Sequence, residues 1–198
     1  MLKNDCIYPN KHFFILGCSR SGTSLLCGLM NAHSKCEVDF EVWADGRGRK
    51  DIVRFNFDFW DKKRDESQKK DMLYGNKIPL EQFSAKQWNE KDFIKFFDHG
   101  YFVLFIIRRF SKYCNMPTRE IQYKEWWAKG QKIYWNMREY APDKIIQISY
   151  EDLVLRPQIE LIRISNFLDI EYEPAMLTGC QNTGYLKYNQ STIHTNSL

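Results

Sequence analysis

A chain of 198 residues, 43% of them hydrophobic, suffices for one domain with a sizeable core and falls short of two comfortable ones. One domain spanning residues 1–198 is therefore expected. A net charge of +4 argues against the dense basic face that nucleic-acid binding needs; it suits a protein that holds a small polyanion in one pocket. The six cysteines, Cys6, Cys18, Cys27, Cys36, Cys114 and Cys180, form no C-x-x-C pair and no Cys/His cluster with zinc spacing, so reduced thiols are expected and a metal centre is not. The polar start "MLKNDCIYPNK" and the lack of any apolar run of membrane length predict a cytoplasmic protein without a membrane span.

The first predicted element is "HFFILG" (His12–Gly17), a short apolar run ending in glycine and read as a buried strand. "TSLLCGLMNAH" follows with Leu25, Leu26, Leu29 and Met30 at helical spacing. "CEVDFEVW" (Cys36–Trp43) alternates weakly, as a short strand does. The run "DKKRDESQKKD" (Asp61–Asp71) alternates in charge and reads as a solvated helix end or loop. "MLYGNKIP" (Met72–Pro79) is a strand stopped by proline. "YFVLFIIRR" (Tyr101–Arg109) is apolar almost throughout, as a parallel strand covered on both faces should be.

A long helix is predicted from Thr118 to Tyr140. It carries Tyr123, Trp127, Gly130, Tyr134 and Arg138 on one face, with Trp126 and Trp135 beside it. At helical spacing such a stripe is core rather than a base-stacking surface. "KIIQIS" (Lys144–Ser149) is a further strand, and "PQIELIRISNFL" (Pro157–Leu168) an amphipathic helix with proline in its first turn. Beyond Pro174 the chain is polar and loop-like. Strands alternating with helices predict an α/β fold, a three-layer P-loop-like arrangement with a central, mainly parallel sheet flanked by helices.

Between the first strand and helix lies "GCSRSGTS" (Gly17–Ser24). It follows the phosphate-loop pattern G-x-x-x-x-G-K-[ST] at Gly17, Gly22 and Ser24, but Thr23 stands where lysine is required. A helix N-terminus still offers free N–H groups and a positive dipole end to an anion. ATP chemistry needs the lysine and an acidic residue on a second strand to hold Mg²⁺. Here the second strand ends in Arg108 and Arg109, which repel a metal and attract an anion. A nucleotide with two separated phosphate groups fits better.

"GCSRSGTSLL" resembles the 5′-phosphosulfate loop of the sulfotransferases that use 3′-phosphoadenosine 5′-phosphosulfate (PAPS), above all the bacterial and tyrosylprotein branch, whose loop runs R-S-G-T-[TS]-L. The resemblance continues, in the family's order, through "NAHSKCEVDFE", "YGNKIP", the strand ending in Arg108, and "YEDLVLRP". It implies sulfuryl transfer from PAPS to a hydroxyl or amine acceptor, with PAP as product, no metal, and a carboxylate as general base. Sulfated acceptors across the family include glycans, small metabolites, phenols and tyrosines.

By that resemblance the loop residues Arg20, Ser21, Gly22, Thr23 and Ser24 bind the 5′-phosphate. Arg20 supplies the charge that the missing lysine would have given and joins the catalytic set. Glu41 matches the catalytic glutamate, which removes the acceptor proton; Asp39, two residues earlier, is a second candidate. Lys77 matches the lysine that stabilises charge on the sulfuryl group and its leaving oxygen. The four histidines, His12, His33, His99 and His194, sit in no matching motif, in keeping with a carboxylate base.

Arg108 matches the arginine for the 3′-phosphate. The usual serine partner falls on Met116, and a one-residue deletion puts Asn115 there and Arg119 on a further family arginine. Tyr150 and Ser191 match residues that reach the nucleotide, and Lys187 is a weaker counterpart of a later family lysine. Two other readings remain: a small nucleotide or nucleoside kinase with a degenerate phosphate loop, and a non-catalytic protein that binds PAP or PAPS.

Overall fold

Five segments form strands in the computed structural model, which describes residues 11–42, 55–83, 89–109 and 120–179. They are β1 (Phe13–Gly17), β2 (Cys36–Phe40), β3 (Leu73–Pro79), β4 (Phe102–Ile107) and β5 (Ile145–Ser149). All pair in parallel, in the order β2-β3-β1-β4-β5. Every residue of β1 is buried, because helices cover both faces of the sheet and the strand has no wet side.

Alternation along β1 assigns its side chains to two cores. Phe13 and Ile15 pack with Leu26, Leu29 and Met30 of α1 (Thr23–Asn31), and with Leu161 and Ile164 of a C-terminal helix. Phe14 and Leu16 point the other way. Phe14 meets Trp60, Phe96 and Tyr101, with ring centroids 4.9, 4.5 and 4.9 Å away. Burying one such ring stabilises by about 1.5–3 kcal/mol, so β1 is firmly anchored beside the glycine loop.

The alternating charge run is mostly helix. It lies in α2 (Phe57–Gln68), whose first N–H groups are partly satisfied by Asn56, which accepts from the Phe59 amide at 3.3 Å. Phe57 and Trp60 bury one face of α2, and the charges cover the other. A short helix, α3 (Lys95–Asp98), adds Phe96 and Phe97 to the same core. The expected long helix is α4 (Glu120–Tyr140). Ile133, Tyr134 and Met137 form its buried stripe, while Trp135 is 60% exposed.

Next come α5 (Tyr150–Leu155) and α6 (Pro157–Leu168); α6 ends where Asp169 turns left-handed. After Pro174 the described residues form a short turn, Pro174–Thr178, that buries Met176. No helix among the described residues is long and apolar enough to cross a membrane.

The strand order decides where a ligand can sit. From β1 the chain moves one way to β2 and β3, then crosses to β4 on the other side. Such a switch point leaves a crevice outside the carboxyl ends of the strands. The Gly17–Gly22 loop, Lys77 near the end of β3 and Arg108 just past the end of β4 all lie there.

Candidate functional site

The loop after β1 is held open by backbone geometry. A Cβ on Gly17 would lie 2.5 Å from the Ile106 carbonyl oxygen, so β4 and the loop can approach only with glycine there. Ser21 donates its N–H to the Cys18 carbonyl at 3.1 Å, closing a turn. Arg20 (φ 69°) and Gly22 (φ 102°) are both left-handed, and alternation of this kind curls successive amides around a concavity. At Gly22, a Cβ would also lie 2.4 Å from Cδ2 of Tyr150.

Gly22 caps α1 without a side-chain bond, and the first turn of the helix holds no acidic residue. Its leading N–H groups are therefore available to an anion. Ser21 is 2% exposed, and its Oγ has no hydrogen-bond partner among the described residues. A buried hydroxyl without a partner is costly unless a ligand oxygen completes it.

On one side of this loop stands Arg108. Its guanidinium lies 4.3 Å from the centroid of the Tyr150 ring, and Nη1 donates to the Arg20 carbonyl at 3.3 Å. Nε is buried without a partner among the described residues. The Trp127 indole N–H donates to the Arg108 carbonyl at 3.1 Å, tying α4 to the end of β4. Gly130 lets α4 lie close to the loop after β1, because a Cβ there would be 2.9 Å from the Cys18 Sγ. Arg109 is exposed and donates its backbone N–H to Glu151 at 3.0 Å.

On the other side, Lys77 and Glu41 meet in an ion pair. Register explains it: β2 pairs with β3 so that Phe40 lies opposite Lys77, and Glu41 follows directly. Glu41 leaves the strand in a left-handed conformation (φ 55°), with its N–H donating to the Lys77 carbonyl at 2.9 Å. Lys77 is only 2% exposed, and its ammonium sits 3.9 Å from the centroid of the Phe40 ring. Burial pulls its pKa below the usual lysine value, with Glu41 acting in the opposite direction. Gln82 donates its amide to the second oxygen of Glu41.

Asp39 stands apart from that pair. Its carboxylate accepts from the Tyr74 hydroxyl at 3.3 Å, and burial raises its pKa. Strand alternation would put Asp39 and Glu41 on one face, but the left-handed turn at Glu41 breaks it. Of the two carboxylates, Glu41 is the one in contact with Lys77.

Glu81 accepts from the Ser19 N–H at 2.8 and 2.7 Å and from its hydroxyl at 3.0 Å. Sequence reasoning missed both Glu81 and Gln82. The available signal was their place in "NKIPLEQF" (Asn76–Phe83), where Pro79 halts the strand and the next residues must turn back toward the loop. Tyr150 opens α5, capped by Ser149, whose Oγ accepts from the Asp152 N–H at 3.2 Å. Asn115, Arg119, Lys187 and Ser191 lie outside the described residues. Among the described residues, no group of three or more His, Cys, Asp or Glu could hold a metal ion.

The site thus joins an amide-lined loop at a helix N-terminus, an arginine beside it, and a buried lysine–carboxylate pair. Residues 103–174 match a protein-family model described as Sulfotransferase family. Over 63 residues the chain is 32% identical to a Caenorhabditis briggsae protein named "Putative protein-tyrosine sulfotransferase". That stretch is 32% of this chain and 22% of the relative, so the chain matches about a fifth of that protein's length.

Solved structures share the fold over most of the chain. The sulfotransferase domain from the curacin biosynthetic pathway superposes with a TM-score of 0.56 at 16% identity, covering 87% of this chain and 78% of that one. The sulfotransferase domain of the Synechococcus PCC 7002 olefin synthase gives 0.55 at 18%, covering 94% and 82%. A mouse sulfotransferase complexed with PAP gives 0.53 at 12%, covering 94% and 69%.

Proposed function

We propose that this chain is a sulfotransferase, in keeping with its family-model match over residues 103–174, and that it moves a sulfuryl group from PAPS to a hydroxyl or amine acceptor. One observation carries the reading. The strands on either side of β1 bring cations, Lys77 and Arg108, to the crevice, where an ATP enzyme needs a metal-holding acid.

The 5′-phosphate of the donor belongs on the loop amides of Gly22 to Ser24, the Ser21 amide being held by the Cys18 carbonyl. The Ser21 hydroxyl, without a partner among the described residues, and the Thr23 and Ser24 hydroxyls are further donors. Arg20 adds positive charge there. Arg108, whose buried Nε has no partner among the described residues, takes the 3′-phosphate beside Tyr150; Asn115, Arg119 and Ser191 complete the nucleotide contacts. The acceptor oxygen attacks sulfur, the sulfur–oxygen bond to the nucleotide breaks, and the acceptor proton passes to Glu41. Lys77 neutralises the charge that grows on the departing phosphate oxygen. Such a contact accelerates the reaction because it strengthens in the transition state. Cys18, Cys27 and Cys36 are buried free thiols, which fits a reducing compartment and a cytoplasmic location.

Thermal denaturation with ligands tests the donor. A ligand that binds only the folded state raises the midpoint. PAP should do so in EDTA, and Mg–ATP should not. Stabilisation by Mg–ATP alone would return the site to kinase chemistry.

A further inference from the structure

We propose that Gln82 is a positioning residue for the carboxylate of Glu41, supplied by the one-turn helix Leu80–Gln82 that joins the base to the donor loop. The inference rests on Glu41 being the base.

Each carboxylate oxygen of Glu41 has its own donor: Lys77 Nζ holds Oε1 and the Gln82 amide holds Oε2. The two donors have different fates during transfer. Lys77 is wanted by the sulfuryl group and its leaving oxygen, so donor binding draws its ammonium away from Glu41. Gln82 then remains as the hydrogen bond that fixes the carboxylate, with Oε1 free to face the acceptor hydroxyl. A neutral amide suits this task, since a second cation would hold the negative charge more tightly and weaken the base.

The turn that carries Gln82 is itself fixed at three points. Leu80 is fully buried, and the Phe83 N–H donates to the Leu80 carbonyl at 3.1 Å. Between them, Glu81 grips the amide and hydroxyl of Ser19 at the mouth of the phosphate loop. One short segment therefore reaches the donor loop through Glu81 and the base through Gln82. The position of Glu41 is set relative to the phosphate cradle and not only to its own strand.

The test uses PAP as the binding probe and hydrolysis of PAPS, with water as acceptor, as the reaction. In hydrolysis, water oxygen bonds to sulfur, the bond to PAP breaks, and the water proton goes to Glu41. Gln82→Met keeps the length of the side chain and removes the donor; Gln82→Asn keeps the amide but falls short. Both should bind PAP within about twofold of the parent while turnover falls roughly 10-fold, the loss expected for one hydrogen bond to a charged group. In a Glu41→Gln background, Gln82→Met should cause no further loss, because a residue acting through Glu41 has nothing left to act on.

An unchanged rate in both Gln82 variants overturns the inference. So does the same fractional loss in the Glu41→Gln background, the mark of a merely structural role. Failure of the parent to bind PAP, or full activity in Glu41→Gln, overturns the proposed function and this inference with it.

Discussion

Replacing Arg108 with alanine should separate the two phosphate groups of the donor. In the parent side chain, Nη1 is committed to the Arg20 carbonyl and the guanidinium face to Tyr150, while Nε is buried without a partner among the described residues. The remaining guanidinium N–H groups, Nε among them, are thus left for a ligand. Removing one charge-assisted hydrogen bond costs about 2–3 kcal/mol, which weakens PAP roughly 30- to 150-fold. Removing the stack on Tyr150 takes about 0.5–1 kcal/mol more from the fold. The Trp127 bond uses the backbone carbonyl of residue 108, so that anchor of α4 survives. Titration calorimetry should be run with PAP and with adenosine 5′-phosphosulfate, which lacks the 3′-phosphate. The second ligand should lose little affinity, and Arg108→Lys should fall between parent and alanine because it keeps the charge but not the fork. Equal weakening of both ligands would remove Arg108 from the 3′-phosphate.

Glu41→Gln should keep PAP affinity and lower turnover of an alcohol acceptor of high pKa about 10²- to 10⁴-fold, whereas Asp39→Asn should change little; the reverse pattern would make Asp39 the base. Gly22→Ala forces a side chain onto a left-handed residue and against Tyr150. It should cost about 1–3 kcal/mol of stability in urea melts and weaken PAP; an unchanged protein would refute the tight loop. His12 accepts the Tyr74 N–H through Nδ1 at 2.8 Å, and burial lowers its pKa from 6.5 to about 4. As pH falls from about 6.5 to about 4 the unfolded chain takes up the proton first, so stability should decline by up to about 3 kcal/mol over that window. His12→Asn should flatten that slope, and an identical slope in the variant would refute the assignment.

Wherever local chemistry decided the structure, the sequence was readable. The apolar run of β1 and β4 needs helices on both faces, and Pro157 at the start of α6 limits where that helix can begin. The loop was legible because Gly17 and Gly22 are demanded by backbone proximity and positive φ. The charge run hid α2, since its cap at Asn56 and its anchors Phe57 and Trp60 precede the run. The pairing of Glu41 with Lys77 was not derivable from spacing, because it depends on β2 lying beside β3 in one register. Nor could alternation separate Glu41 from Asp39, as the distinction arises from one left-handed residue at the strand end. Glu81 and Gln82 were invisible for a related reason: their partners, Ser19 and Glu41, are 62 and 41 residues away in the chain.

Sulfuryl transfer itself is measured by incubating the chain with radiolabelled PAPS and a panel of glycan, phenol, metabolite and tyrosine-peptide acceptors, in EDTA throughout. The account predicts label in at least one acceptor, equimolar PAP, and loss of both in Glu41→Gln and Lys77→Met. No label in any acceptor in EDTA, together with phosphate transfer to an acceptor in a parallel incubation with Mg–ATP and no EDTA, would contradict it.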